Sequence, residues 1–135
     1  MAEAIVAMAI LGIMVIALYA GITSSFFTLR LAREDARATQ IMLEKMEVIR
    51  LCTWEQINSN NFIPTSFTTF YYPAATNGLA YTGTVTITNT PFSLEYTGDM
   101  KLITVQISWV TQGLARNRKI STYFSRYGVQ NYLLK

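Results

Sequence analysis

The sequence predicts an α+β fold in which a long N-terminal α-helix packs on a small antiparallel β-sheet. Two patterns in the 135 residues predict it. No charged residue stands between Glu3 and Arg30, and apolar residues then recur every three or four positions as far as Ile57, which is the spacing of one helix face. After residue 80, polar and apolar residues alternate as they do in β-strands.

The first half of the predicted helix is long enough to cross a membrane. The apolar run from Ala4 to Ile22 matches the ~20 residues that span a ~30 Å hydrocarbon core at ~1.5 Å per residue. A secretory signal peptide fits less well, because the run is long and no basic residue precedes it. A plain single-span anchor stays open as an alternative. It gives no reason for Glu3, whose carboxylate would cost ~2.5–3.5 kcal/mol at the bilayer centre.

The second half is predicted to be amphipathic and to continue the same helix. Neither Gly nor Pro occurs between Ile22 and Ile63. One helix is therefore predicted from Ala2 to Ile57, and the Asn-rich residues 58–61 end it. Its apolar stripe is predicted to comprise Ala32, Ala36, Thr39, Met42, Leu43, Met46, Ile49 and Thr53.

The rest of the chain is predicted to form a loop and then an antiparallel sheet. Met100–Thr111 is the clearest strand, and its odd-numbered positions form an apolar face predicted to pack on the helix. These residues are Ile103, Val105, Ile107 and Trp109. The other predicted strands are Tyr81–Ile87, Phe92–Tyr96 and, after a turn at Gln112-Gly113, Lys119–Tyr127. The predicted parts are a membrane helix at 1–28 and a folded domain at 29–135, made of an amphipathic helix at 29–57, a loop at 58–80, a sheet at 81–127 and a tail at 128–135.

Composition argues against several classes of function. The chain has no His and a single cysteine, Cys52, so it cannot form a disulfide within itself, and a zinc site is not expected. The same composition removes the usual general base and the usual catalytic triads. We therefore predict no catalytic, cofactor-binding or metal-binding residue, and no enzyme activity. Residues 58–135 carry six basic and two acidic side chains, which is too sparse for the basic stripe of a nucleic-acid-binding protein.

The N-terminal segment Met1-Ala2-Glu3, followed by AIVAMAILGI, resembles the type IV pilins and the type II secretion pseudopilins. The processed N terminus of that family reads Phe-Ser/Thr-Leu-x-Glu before an apolar helix, and Met1 stands here in the place of Leu. The resemblance covers about the first thirty residues and is nearest to a minor pseudopilin or minor pilin. It implies that a leader peptide ending in Gly, and two further residues, precede Met1 in the precursor.

The resemblance implies a structural subunit of a type II secretion pseudopilus or a type IV pilus-like filament. A prepilin peptidase would cleave the precursor, the new N-terminal amine would be methylated, and an inner-membrane platform protein with a cytoplasmic ATPase would drive assembly. Glu3 would pair with the amine of a neighbouring subunit. The stretch from Gly12 to Gly21 would loosen in the filament, although Ala20 stands where many members have Pro.

The resemblance also implies a location. The helix would cross the bacterial inner membrane once, in contact with lipid, and the folded domain would lie in the periplasm until it joins the filament. The basic residues Arg30, Arg33 and Arg37 follow the span, and the positive-inside rule applied to them alone would place the domain in the cytoplasm. We follow the resemblance, because prepilin leaders are commonly basic and remain in the cytoplasm.

Two groups of residues are candidates for contacts with other molecules. The aromatic residues Phe70, Tyr71 and Tyr72 are predicted to pack a loop onto the domain or onto a neighbouring subunit. Arg116 and Arg118 lie close to the predicted hairpin turn. They either form a solvated tip or contact an acidic neighbour or lipid head groups. The alternative function is a membrane-anchored extracytoplasmic β-domain that acts as a binding module through one of these groups.

Overall fold

The part of the chain that the structure describes forms one long helix, one short helix and four strands. The computed structural model describes residues 2–59, 62–74, 76–91 and 97–128. In order, the elements are α1 (Ala2–Arg50), α2 (Trp54–Asn58), β1 (Ser66–Phe70), β2 (Ala80–Asn89), β3 (Met100–Thr111) and β4 (Leu114–Ser125), with a 3₁₀ turn at Thr97–Asp99 before β3. The predicted α+β class is confirmed, because the long helix packs on a four-stranded antiparallel sheet.

The chain divides into two units, Met1–Ala36 and Arg37–Lys135. The first contains the N-terminal part of α1, in which every side chain from Ala2 to Arg30 is exposed. This part of α1 is long and apolar enough to span a membrane. The second unit contains the rest of α1, α2 and the sheet. The predicted membrane boundary at residue 28 stays a prediction.

The sheet is a meander in the order β1-β2-β3-β4, with each strand antiparallel to the next. The prediction for β3 was correct at both ends. Gln112 and Gly113 form the turn to β4 with φ of 50° and 78°, which is the type I′ geometry that suits the twist of a hairpin. Because this turn has only two residues, β4 begins directly after it at Leu114, earlier than the predicted Lys119.

The core lies between the helix-facing side of the sheet and α1. All four residues of the predicted β3 face are at most 3% exposed, so that prediction is confirmed. The opposite face is polar, and Thr104 and Ser121 share a hydrogen bond there, with 2.9 Å between their hydroxyl oxygens. The buried apolar residues are Ala38, Ile41, Met42, Met46, Ile49, Ile57, Tyr81, Val85, Ile103, Val105, Ile107 and Trp109.

The buried stripe of α1 differs in part from the predicted one. Met42, Met46 and Ile49 are buried as predicted, together with Ala38 and Ile41, which the prediction omitted. The other predicted members are exposed, namely Ala32, Ala36, Thr39, Leu43 and Thr53. The prediction joined two neighbouring rows of the helix, and a helix on a sheet buries a single stripe. The row that contains Ile41 presents more apolar area than the row of Ala and Thr.

The helix predicted to reach Ile57 is interrupted before α2. The last turn of α1 tightens, since the N–H groups of Leu51 and Cys52 donate to carbonyls three residues earlier. Thr53 then caps α2 by accepting a hydrogen bond from the backbone N–H of Gln56, while the Gln56 side chain accepts one from the Thr53 N–H. This reciprocal capping box offsets the lost helical hydrogen bonds.

A strand occurs within the segment that was predicted to be a loop. β1 pairs with β2 over five residues, and Phe67 lies opposite Gly83. A Cβ added to Gly83 would collide with the Phe67 ring, so glycine at this position lets the ring lie directly over the neighbouring strand. The predicted strand Phe92–Tyr96 and the predicted tail beyond residue 128 lie outside the described residues.

Candidate functional site

The predicted assembly residue Glu3 lies in the first turn of α1 and is exposed. Its carboxylate is the only charge on the helix before Arg30. The side chains that follow it are apolar and uncovered, and Ile16, for example, is 71% exposed. An acid in the first turn complements the helix dipole. The surface that surrounds this acid is suited to lipid or to other apolar helices rather than to water.

The two predicted flexible positions, Gly12 and Gly21, lie within the helical conformation of α1. An added Cβ would meet nothing within 4 Å at either position, so no contact in the described residues requires glycine there. The structure does not test the predicted loosening.

Three hydroxyl groups near the end of the apolar run are hydrogen-bonded to the helix itself. Thr23 donates to the carbonyl of Tyr19 at 2.8 Å, Ser25 to that of Gly21 at 2.8 Å and Thr28 to that of Ser24 at 3.0 Å. This feature was not predicted, although Ser and Thr within a helix can bond to the carbonyl four residues earlier. These hydroxyls need no water.

One charged side chain of α1 is buried and a second is half-buried. Glu34 is 3% exposed, and its Oε1 accepts a hydrogen bond from Arg30 Nε at 3.1 Å. The Arg37 side chain is 13% exposed, and its Nε donates to the carbonyl of Tyr71 at 3.1 Å. Each has a hydrogen-bond partner, which buried charges require.

The three aromatic candidates have different environments. Phe70 is the last residue of β1 and is half-buried. Tyr71 packs against the core, and its N–H donates to the carbonyl of Leu79 at 2.9 Å. Tyr72 is 69% exposed, and its ring meets that of Tyr71 edge-on at a centroid distance of 4.9 Å. Of the three, only Tyr72 offers an open ring to a partner.

The two basic candidates lie on the edge strand β4 and share the helix-facing side of the sheet. Arg116 is opposite Trp109, and Arg118 is opposite Ile107. Arg116 is half-buried and Arg118 is exposed. Among the described residues, neither Arg116 Nε nor Trp109 Nε1 has a hydrogen-bond acceptor, although both atoms are buried. Arg116 is therefore only partly solvated, and its predicted contact with another molecule stays a prediction.

The described residues contain no group of three or more His, Cys, Asp or Glu side chains that would hold a metal ion. Cys52 is a free, half-buried thiol whose sulfur lies 3.6 Å from the carbonyl oxygen of Val48. Comparison of the chain with protein-family models, with curated proteins and with solved structures found no match in any of the three.

Proposed function

We propose that this chain is a structural subunit of a filament of the type II secretion pseudopilus or type IV pilus-like kind, assembled from the inner membrane through the N-terminal part of α1. One observation carries the proposal. An apolar helix with a single carboxylate in its first turn leaves every side chain from Ala2 to Arg30 uncovered. Such a surface needs lipid before assembly and other helices of the same kind afterwards.

The position of Glu3 supports pairing between subunits. An unpaired carboxylate among apolar side chains is costly, and the N-terminal amine of a neighbouring subunit is a partner of opposite charge. At ~4 Å and an effective dielectric of ~20, such a pair gains about 4 kcal/mol, against about 1 kcal/mol in bulk water. The pair would therefore favour the filament over the free subunit and fix the register between neighbours.

The experiment replaces Glu3 with Ala in the chain expressed with its leader and assembly proteins. We expect the Glu3→Ala subunit to insert and to be cleaved normally but to be lost from filaments sheared from the cells, because the intersubunit pair is gone. The yield of subunit in the sheared fraction, relative to the membrane fraction, is the measurement.

Glu55 provides the matched control. It is an exposed glutamate in the first turn of α2, so Glu55→Ala removes the same dipole interaction, worth ~0.3–1 kcal/mol, without touching the apolar helix. Filaments that contain the Glu3→Ala subunit at the Glu55→Ala yield would contradict the proposal and leave Glu3 with a dipole role only.

A further inference from the structure

The tip of the β3–β4 hairpin, residues 110–119, combines uncovered apolar side chains with basic ones. Val110 and Leu114 are each 60% exposed. Val110 is opposite Ala115, whereas Leu114 is opposite Thr111, so the two apolar side chains lie on opposite faces of the hairpin. We propose that this hairpin tip docks on the surface of an anionic lipid membrane.

The charge of the hairpin is of one sign. No acidic residue occurs between Met100 and Gly128, and the tip carries Arg116, Arg118 and Lys119. Among the described residues, neither Arg116 nor Lys119 forms an ion pair. A phosphate oxygen supplies an acceptor of the geometry that guanidinium groups favour.

A chain of contacts places the tip at the end of the sheet where the second unit begins. Arg37 donates to the carbonyl of Tyr71, which directly follows β1. Across the next two strands the rings of Tyr81 and Trp109 lie 5.6 Å apart, and Trp109 is opposite Arg116. The hairpin tip and Arg37 therefore lie at the same end of the second unit.

Chain connectivity limits the distance between Arg37 and the bilayer when the apolar helix is inserted. Arg37 is only eight positions after Leu29, the last residue before the first base. Even a fully extended chain of this length reaches no more than about 29 Å. A basic and apolar tip on so short a tether would meet an anionic leaflet at high effective concentration. The proposal depends on membrane insertion and not on filament assembly, so the Glu3 experiment can fail without affecting it.

The test measures whether the tip contacts lipid. The full chain, with Cys52→Ala and Leu114→Cys, carries an environment-sensitive fluorophore on the new thiol and is reconstituted into vesicles that contain nitroxide-labelled lipid. The vesicles are phosphatidylcholine alone or phosphatidylcholine mixed with phosphatidylglycerol. The control places the label at Ser121→Cys, an exposed position on the opposite face of the same strand that is ~23 Å further along it.

We expect quenching at position 114 in the anionic vesicles, little quenching at 121, and loss of the difference at high salt. Lys119→Gln should reduce the affinity of the tip for anionic vesicles about fivefold, because one basic side chain near an anionic surface contributes about that factor. Lys101→Gln, at the other end of the hairpin, should leave it unchanged. Far-UV circular dichroism of each variant checks the fold.

Three results would overturn the proposal. The first is equal quenching at positions 114 and 121. The second is quenching at 114 that is the same in neutral vesicles and insensitive to Lys119→Gln, because the charges would then have no role. The third is a label at 114 whose fluorescence reports burial only as the protein-to-lipid ratio rises. The tip would then contact other protein molecules rather than lipid.

Discussion

At the scale of the residue, the contact of Phe67 with Gly83 joins three elements. The Phe67 ring of β1 covers Gly83 of β2, and the Nζ of Lys45 in α1 lies 4.8 Å from the centre of the same ring. A cation over an aromatic face at an exposed site contributes ~0.5–1 kcal/mol. Gly83 therefore leaves room for the Phe67 ring. Through this ring the short edge strand β1 contacts both β2 and α1.

We predict that Gly83→Ala lowers the free energy of unfolding by ~1–3 kcal/mol, because the new methyl group displaces the Phe67 ring. The measurement is urea unfolding of the full chain in detergent, followed by tryptophan fluorescence. In a Phe67→Ala background the same change should cost much less, since the ring that it displaces is absent. Equal costs in the two backgrounds would show that the ring does not restrict position 83.

At the scale of the element, the face that α1 buries can be tested by two neighbouring substitutions. Met46 is 2% exposed and Leu43 is 47% exposed, although the sequence pattern placed both in the stripe. We predict that Met46→Ala lowers the free energy of unfolding by ~2–5 kcal/mol because it leaves a cavity, whereas Leu43→Ala changes it by no more than ~0.5 kcal/mol. Urea titration of both variants measures this, and a larger loss for Leu43→Ala would contradict the observed stripe.

The elements that were predicted correctly are those with a long, regular pattern. β3 has twelve residues, and apolar and polar side chains alternate without interruption from Ile103 to Trp109, so its buried face followed from the sequence. β1 has five residues between two prolines, too short for alternation to distinguish it from a loop. The break in the helix had a local signal, Thr53 followed three residues later by Gln56. The prediction relied on the absence of Gly and Pro and placed Thr53 in the stripe of a continuous helix.

For the candidate surfaces, the sequence predicted which residue types take part but not which residues surround them. Arg116 and Arg118 were named from their charge near a turn, but their neighbours depend on register. The two-residue turn at Gln112-Gly113 fixes that register and brings Arg116 beside Trp109. The burial of Tyr71 could not be predicted, because it depends on tertiary contacts such as the hydrogen bond from Arg37 Nε to the Tyr71 carbonyl.

At the scale of the whole molecule, the two units have opposite relations to solvent. Among the described residues, the second buries twelve apolar side chains, whereas the first leaves its apolar side chains exposed as far as Arg30. Hydrophobic burial within the chain therefore stabilises only the second unit, and the first depends on its surroundings.

We predict that Ile13→Asp releases the chain from membranes washed with alkaline carbonate, because a carboxylate at the centre of a span costs ~2.5–3.5 kcal/mol. Val48→Asp is the control. Val48 is 60% exposed and Ile13 is 69% exposed in the same helix, but Val48 lies outside the apolar run and its substitution should leave the chain in the membrane. Retention of both variants would argue against a bilayer span at residues 4–22.

The hydroxyl groups of Thr23, Ser25 and Thr28 have a consequence for hydrophobic mismatch. Because each is already bonded to the helix, none of them has to stay at the water interface, and the uncharged stretch that hydrocarbon tolerates extends to Leu29. From Ala4 to Leu29 that stretch is about 39 Å of helix, against a core of ~30 Å. A helix of this excess length tilts in a thin bilayer and is upright only in a thick one. Where a thin and a thick bilayer coexist, the smaller mismatch cost would favour partition of this helix into the thicker one.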